Sequence, residues 1–194
     1  MLAIVIFMAV SFLAVALKYQ TSAYFRLPAA VRIAASVLHA VIVLTNILLY
    51  GLLCVVDYHS LDLPLAVRLA GLVLALPGIC LILAGIVALK AALFFPSGGD
   101  RLLTGGLYRL VRNPMYLGGI AGALGIGLAV ASRYALYYTV AFAVVLFIVA
   151  RLEERDLAQR FGPGFEEYRR RVPLLIPTPG SIARSVTGWP GGRR

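Results

Sequence analysis

The sequence predicts an all-α integral membrane protein with about five transmembrane helices, in one domain. Hydrophobic residues make up 61% of the 194 residues and charged residues only 13%, whereas a soluble domain carries about a quarter charged residues. The mean hydropathy is +0.93. The apolar residues are gathered in long runs without charges, which is typical of membrane spans. Lipid is therefore expected to cover most of the surface.

Five apolar runs define the predicted spans. They are residues 1–17, 33–56, 69–89, 115–131 and 135–150. The first run is about long enough to cross a membrane, and because Lys18 follows it, a retained helix is favoured over a cleaved signal peptide. Pro77 predicts a bend in the third span. The short "SRY" link at 132–134 predicts that the last two spans form an antiparallel hairpin.

Small residues recur at four-residue spacing along the fourth predicted span. One row is Gly119, Ala123, Gly127 and Ala131, and a second pair is Gly118 and Gly122. Such rows let another helix backbone come close. Tight packing within the predicted hairpin is favoured over a homodimer interface.

Positive charge is distributed unevenly among the predicted loops. With five spans, 16 of the 18 Lys and Arg residues lie on one side of the membrane, and only Arg68 and Arg133 lie on the other. The positive-inside rule then places the N-terminus outside and the C-terminus in the cytoplasm. Two polar phrases, residues 104–119 and 151–173, fall on the same cytoplasmic face, where they can meet. The net charge of +10 is assigned to this topology and to lipid headgroups, so no nucleic-acid partner is expected.

The cysteines and histidines give no sign of a disulfide framework or a metal site. Cys54 and Cys80 lie inside apolar runs, and His39 and His59 stand alone. The Cys/His spacing typical of a zinc site is missing from the sequence. No bound metal is therefore expected.

The first polar phrase is "TGGLYRLVRNPMYLGG", residues 104–119. Gly106 permits unusual backbone angles, Asn113 suits a helix N-cap, and Pro114 suits the first helical turn. Taken alone, the phrase is typical of a loop, a helix cap and a belt of interfacial tyrosines.

The second phrase is "RLEERDLAQRFGPGFEEYRRRVP", residues 151–173. Glu153 and Glu154 directly follow an apolar span, where carboxylates are costly unless they are paired, solvated or functional. An amphipathic helix is predicted here, ended by "FGPG", with a short helix over 165–172 after it. Residues 178–194 are rich in Gly, Pro and Ser and are predicted to be irregular.

Together, the two phrases resemble the isoprenylcysteine carboxyl methyltransferase and phospholipid methyltransferase superfamily of integral membrane methyltransferases. The matching residues are Gly106, Tyr108, Arg112, Asn113, Pro114, Tyr116, Glu153, Glu154, Leu157, Phe161, Gly162, Tyr168, Val172 and Pro173. The match covers about residues 85–177. It implies one domain over 1–177, with N-terminal spans in 1–90, a cofactor-binding half in 91–177, and a tail over 178–194.

The resemblance implies methyl transfer from S-adenosyl-L-methionine to a lipophilic or lipidated substrate at the cytoplasmic face, similar to isoprenylcysteine carboxyl O-methylation. A C-terminal helical segment would close over the cofactor. The implied cofactor contacts are Gly106, Tyr108, Arg112, Asn113, Pro114, Tyr116, Leu117 and Glu154. The residues implied to take part in the reaction are Arg112, Arg151, Glu153 and Glu154.

Asn113 departs from the isoprenylcysteine enzymes, which usually have histidine at this place. Asparagine still donates and accepts hydrogen bonds but does not titrate near neutral pH. The acceptor is therefore left open among an isoprenylated cysteine, a phosphatidylethanolamine-type lipid, another lipophilic acid and a small thiol. An NADPH-dependent membrane reductase and a non-catalytic membrane scaffold are the alternatives to methyl transfer.

Overall fold

The structure, a computed structural model, describes Ile6 and residues 28–94 and 102–187. Most of these residues are helical and none of them forms a strand, which confirms the all-α prediction for this part of the chain. The first predicted span, 1–17, lies outside the described residues apart from Ile6. Residues 188–194 of the tail also lie outside them.

Four long helices correspond to the remaining predicted spans. They are α1 (Ala29–Val56), α2 (Leu65–Phe94), α3 (Pro114–Ala129) and α4 (Arg133–Phe161). A short 3₁₀ helix, Gly106–Arg109, precedes α3, and two short helices follow α4, namely α5 (Pro163–Arg171) and α6 (Pro179–Thr187). Pro77 lies inside α2, which continues past it.

Two of these helices have the length and composition of membrane spans. Leu65–Val87 within α2 and the whole of α4 are long and apolar enough to cross a membrane, while Ala40–Val56 and Pro114–Ala129 are shorter apolar helices. With the overall composition, they indicate a membrane protein. The count of five spans and the orientation of the termini stay predictions.

The fifth predicted span and the predicted amphipathic helix after it form one continuous helix, α4. Glycine and proline are missing from its C-terminal part, and two ion pairs at helical spacing, Arg151–Glu154 and Asp156–Arg160, lie along it. The helix ends where "FGPG" predicted, at Gly162, whose φ of +52° is in the left-handed region.

The tail is not irregular throughout, because Pro179–Thr187 forms α6. The composition suggested a loop, but Thr178 and Ser181 form a reciprocal cap. The Ser181 N–H donates to Thr178 Oγ1 at 3.2 Å, and the Thr178 N–H donates to Ser181 Oγ at 2.9 Å. This pattern starts a helix in the manner of a capping box. The helix packs onto the 3₁₀ helix of the first polar phrase.

The closest helix contact is between α2 and α3, where glycine faces glycine. A Cβ atom added to Gly78 would lie 2.5 Å from the backbone nitrogen of Gly122, and one added to Gly125 would lie 2.5 Å from the carbonyl oxygen of Gly71. Real Cβ atoms do not approach backbone so closely, so the two backbones are themselves in contact. Gly118 and Gly122 therefore pack against α2 rather than within the hairpin, because Gly78 of α2 lies opposite them.

The other row of small residues packs against α4, within the predicted hairpin of α3 and α4. Added Cβ atoms on Gly127 and Gly119 would contact Leu136 and Phe142, respectively. The later residue of α3, Gly127, faces the earlier residue of α4, Leu136, and the reverse holds for Gly119 and Phe142. This order confirms that the two helices are antiparallel. One end of the bundle therefore holds the loops after α1 and α3, and the opposite end holds both polar phrases.

The Asp57 carboxylate stabilises the end of the bundle that holds the loops after α1 and α3. Asp57, after α1, accepts hydrogen bonds from the Tyr134 N–H at 2.9 Å and from the hydroxyls of Ser60 at 2.8 Å and Ser132 at 3.1 Å. Burial alone would raise the pKa of Asp57, but these hydrogen bonds and the charge of Arg133 together lower it. The loop thus joins α1 to the start of α4.

Replacement of Gly78 by alanine should destabilise the protein by about 1–3 kcal/mol, because the added methyl group meets the backbone of α3. Gly122→Ala is the matched control, since its added Cβ would have no neighbour nearer than the Ile79 nitrogen at 4.0 Å. Thermal unfolding in detergent measures both. Equal midpoints for the two variants would contradict the glycine contact.

Asp57→Asn should destabilise the protein at about pH 7 and do so less in acid. The folded pKa lies below the ordinary value of 3.8. The carboxylate therefore stabilises the fold fully above that value, and the contribution is lost as pH falls through the folded pKa. Unfolding at about pH 7 and below about pH 3 tests this, with the exposed Asp62→Asn as control. A wild-type advantage that grows in acid would refute it.

Candidate functional site

The two polar phrases meet at the end of the bundle opposite Asp57. The Arg112 guanidinium forms an ion pair with the Glu154 carboxylate, and only 8% and 5% of these side chains are exposed. Arg151, one turn earlier on α4 and 54% exposed, donates to the same carboxylate at 3.3 Å. The expected meeting of residues 104–119 with 151–173 is therefore observed.

Arg112 also holds the chain that follows α5. Its Nη1 donates to the carbonyl oxygen of Arg169 at 2.8 Å and to that of Val172. Its backbone N–H donates to the Pro173 carbonyl at 2.9 Å. Its buried Nε makes no hydrogen bond to the described residues.

Asn113 stands at the N-cap position of α3, as predicted, but its side chain does not cap the helix. The backbone N–H of Asn113 donates to the Leu174 carbonyl at 3.2 Å, and its side-chain Nδ2 approaches the same oxygen at 3.5 Å. The side-chain amide lies near this carbonyl because residues 173 and 174 are hydrogen-bonded to the backbone of Arg112 and Asn113. Pro114 follows as the first helical residue and is buried. Half-buried Leu117 lies in the first turn of α3.

Glu153 is placed differently from its neighbour. It is half-buried, and Tyr116 donates its hydroxyl to Glu153 Oε1 at 2.6 Å. Burial and then the negative charge of Glu153 raise the pKa of the Tyr108 phenol. Successive helix positions are rotated by about 100°, so Glu154 turns toward Arg112 while Glu153 turns toward the tyrosines.

Tyr108 is carried by the 3₁₀ helix, which begins at Gly106 with φ of +58°. A Cβ added to Gly106 would have no neighbour within 4 Å, so the glycine is needed for its backbone angle rather than for space. The Tyr108 side chain packs against the buried cluster of Phe165, Tyr168 and Val172. Tyr168 donates its hydroxyl to the Tyr108 carbonyl at 2.7 Å, and burial raises the Tyr168 pKa.

Tyr168 and the carbonyls of residues 169–174 are functional neighbours of Arg112 and Tyr108 that the sequence did not predict. The only hint in the sequence was that Tyr168 and Val172 belong to the residues shared with the methyltransferase superfamily. Residue type does not indicate which backbone carbonyls accept a hydrogen bond, so the carbonyl partners of Arg112 were not predictable. Among the described residues, no group of three His, Cys, Asp or Glu side chains is placed to hold a metal ion.

The phospholipid methyltransferase family model matches residues 67–164, about half of the chain. The chain belongs to the phospholipid methyltransferase family. The match begins near the start of α2 and ends just after α4, so it includes Tyr108, Arg112, Tyr116 and both glutamates. The predictions of the superfamily and of a methyltransferase family are confirmed.

Three curated relatives resemble the chain over part of its length. The cobalt-zinc-cadmium resistance protein CzcN of Cupriavidus metallidurans is 40% identical over 95 residues, 46% of this chain and 41% of the relative. Methanethiol S-methyltransferase 2 of Bradyrhizobium diazoefficiens is 34% identical over 79 residues, 41% and 30% of the two chains. Protein-S-isoprenylcysteine O-methyltransferase of Schizosaccharomyces pombe is 38% identical over 80 residues, 39% and 33% of the two chains.

The matched part of the chain thus spans less than half the length of each of these relatives. No solved structure matches the chain.

Gly106→Ala should destabilise the protein by about 1–2 kcal/mol, because a residue with a Cβ is strained in the left-handed region. Gly105→Ala is the matched control, since the φ of Gly105 is −97° and its added Cβ also meets open space. Thermal unfolding of both variants in detergent measures the difference. If Gly105→Ala proves as costly as Gly106→Ala, backbone angle is not the reason for the glycine.

Proposed function

We propose that the chain transfers a methyl group from S-adenosyl-L-methionine to a lipophilic acceptor at the membrane surface. The observation that carries this proposal is the half-buried Glu153 carboxylate, held by the Tyr116 hydroxyl and adjoining Tyr108. Membership of the phospholipid methyltransferase family supports it.

The side chains at this place fit the chemistry of S-adenosyl-L-methionine. A carboxylate suits an ammonium group or ribose hydroxyls, and tyrosine rings suit a sulfonium cation. The exposed guanidinium of Arg151 suits a carboxylate. Gly106, Asn113, Pro114 and Leu117 are proposed to line the same place through their backbone and apolar groups. When bound, the cofactor supplies a methyl group already activated by positive charge.

The chain's own contribution would be orientation and exclusion of water. Tyr116 donates a hydrogen bond to Glu153, and the buried Arg112–Glu154 pair holds the start of α3 against α4. Fixed geometry of this kind lowers the entropic barrier to a displacement reaction. A carboxylate acceptor needs no base, whereas a protonated amine or thiol first gives up a proton. Glu153 is the group proposed to take that proton.

The topology belongs to the same proposal. Five spans with the N-terminus outside would place both polar phrases at the cytoplasmic face. A soluble cofactor would then reach Glu153 from the cytoplasm, and a lipophilic acceptor would arrive from the bilayer between helices.

A small thiol is the second candidate acceptor. It is favoured by the relative named methanethiol S-methyltransferase 2, which is 34% identical over its matched region. The relative named protein-S-isoprenylcysteine O-methyltransferase favours a prenylated cysteine instead, and the family name favours a phospholipid. Incubation with methyl-labelled cofactor and, separately, lipid extract, a prenylcysteine analogue or methanethiol separates these acceptors.

Glu153→Gln should weaken binding of S-adenosylhomocysteine by about tenfold or more, since it removes the negative charge from the site. Calorimetric titration of the purified protein measures the affinity. The control is Glu167→Gln on the exposed face of α5. Unchanged affinity in Glu153→Gln, or binding of NADPH in place of S-adenosylhomocysteine, would overturn the assignment.

A further inference from the structure

The Arg112 guanidinium contacts two separate parts of the chain, through an ion pair and through hydrogen bonds. Nη2 faces Glu154 on α4, while Nη1 faces the carbonyls of Arg169 and Val172 at the end of α5. Carbonyl groups at a helix C-terminus lack intrahelical donors and carry partial negative charge. A guanidinium with donors in a rigid planar fork satisfies both kinds of partner at once.

Further hydrogen bonds bind the same two segments together. We call residues 168–174 the strap. The backbone N–H groups of Arg112 and Asn113 donate to the strap carbonyls of Pro173 and Leu174, at 2.9 and 3.2 Å. At the other end of the strap, Tyr168 donates to the Tyr108 carbonyl at 2.7 Å. The strap is therefore fixed to the first polar phrase at both of its ends.

The Arg112–Glu154 pair is too buried for either charge to remain alone. With 8% and 5% of these side chains exposed, neither has much contact with solvent. Removing one partner of a buried pair leaves an uncompensated charge, whereas removing both charges together is often tolerated. Arg151, being more than half exposed, is a weaker substitute partner for Glu154.

We propose that Arg112 is a positioning residue and not a cofactor contact. It fastens the strap to the first polar phrase, and the strap, through Tyr168, holds Tyr108 beside Glu153. The effect on ligand binding rests on the function proposed above, but the fastening itself does not.

A double-mutant cycle with two readouts tests this. The variants are Arg112→Gln, Glu154→Gln and the double variant. The readouts are affinity for S-adenosylhomocysteine and hydrogen exchange of the backbone amides in the strap. Arg112→Gln should lose about tenfold in affinity and a similar factor in strap protection. The double variant should recover part of each loss, because no unpaired buried charge remains, but not all of it, because the strap carbonyls still lack the guanidinium.

Tyr168→Phe provides an independent arm. It removes only the hydroxyl that bonds the Tyr108 carbonyl, and it should weaken affinity and strap protection severalfold together. Tyr137→Phe on the exposed face of α4 is the matched control. Should Arg112→Gln fail to fold, Arg112→Lys replaces it, since lysine keeps the charge but not the fork, and an intermediate loss is expected.

Failure of the positioning role and failure of the proposed function would give different results. If Arg112 contacts the cofactor, Arg112→Gln loses affinity with strap protection unchanged, and the double variant is no better than the single one. That outcome overturns the positioning role. If the wild-type protein binds no S-adenosylhomocysteine, the proposed function fails, and hydrogen exchange alone still decides whether Arg112 fastens the strap.

Discussion

The buried ion pair of Arg112 and Glu154 joins the parts of the chain that make up the candidate site. Arg112 precedes α3 and Glu154 lies near the end of α4, so the pair closes one end of the hairpin. Burial makes the pairing obligatory, since either charge alone would be costly away from water. Adjacent to it on α4, Glu153 is directed to Tyr116. One step along the helix thus separates the carboxylate paired with Arg112 from the carboxylate bonded by Tyr116.

The hairpin reaches this geometry because α3 is packed on both sides. Its glycines contact the backbone of α2 on one face, while Gly119 and Gly127 contact α4 side chains on another. Asp57 fixes the opposite end of the bundle, where α1 meets the start of α4. With one end fastened and α3 confined, the residues at the other end have little freedom to separate. Packing within the apolar helices therefore positions polar groups beyond them.

Much of this arrangement is predictable from sequence, for physical reasons. Apolar runs mark the helices because lipid tolerates little else. The uneven placement of Lys and Arg assigns both polar phrases to one face, and Gly162 marks the end of α4. Other features are not predictable. Glu153 and Glu154 have the same chemistry, so only the rotation of α4 distinguishes them. Rows of small residues suit any close neighbour, so α2 could not be chosen in advance over α4.

Ultraviolet cross-linking of labelled S-adenosyl-L-methionine to the purified protein, followed by peptide mapping, tests the central claim most directly. We propose that the cofactor lies between the first polar phrase and the end of α4. Label is predicted on peptides from residues 102–119 or 151–161, with excess S-adenosylhomocysteine preventing it. Label confined to α1 or to the loop after it, or label that the competitor does not reduce, would contradict the account.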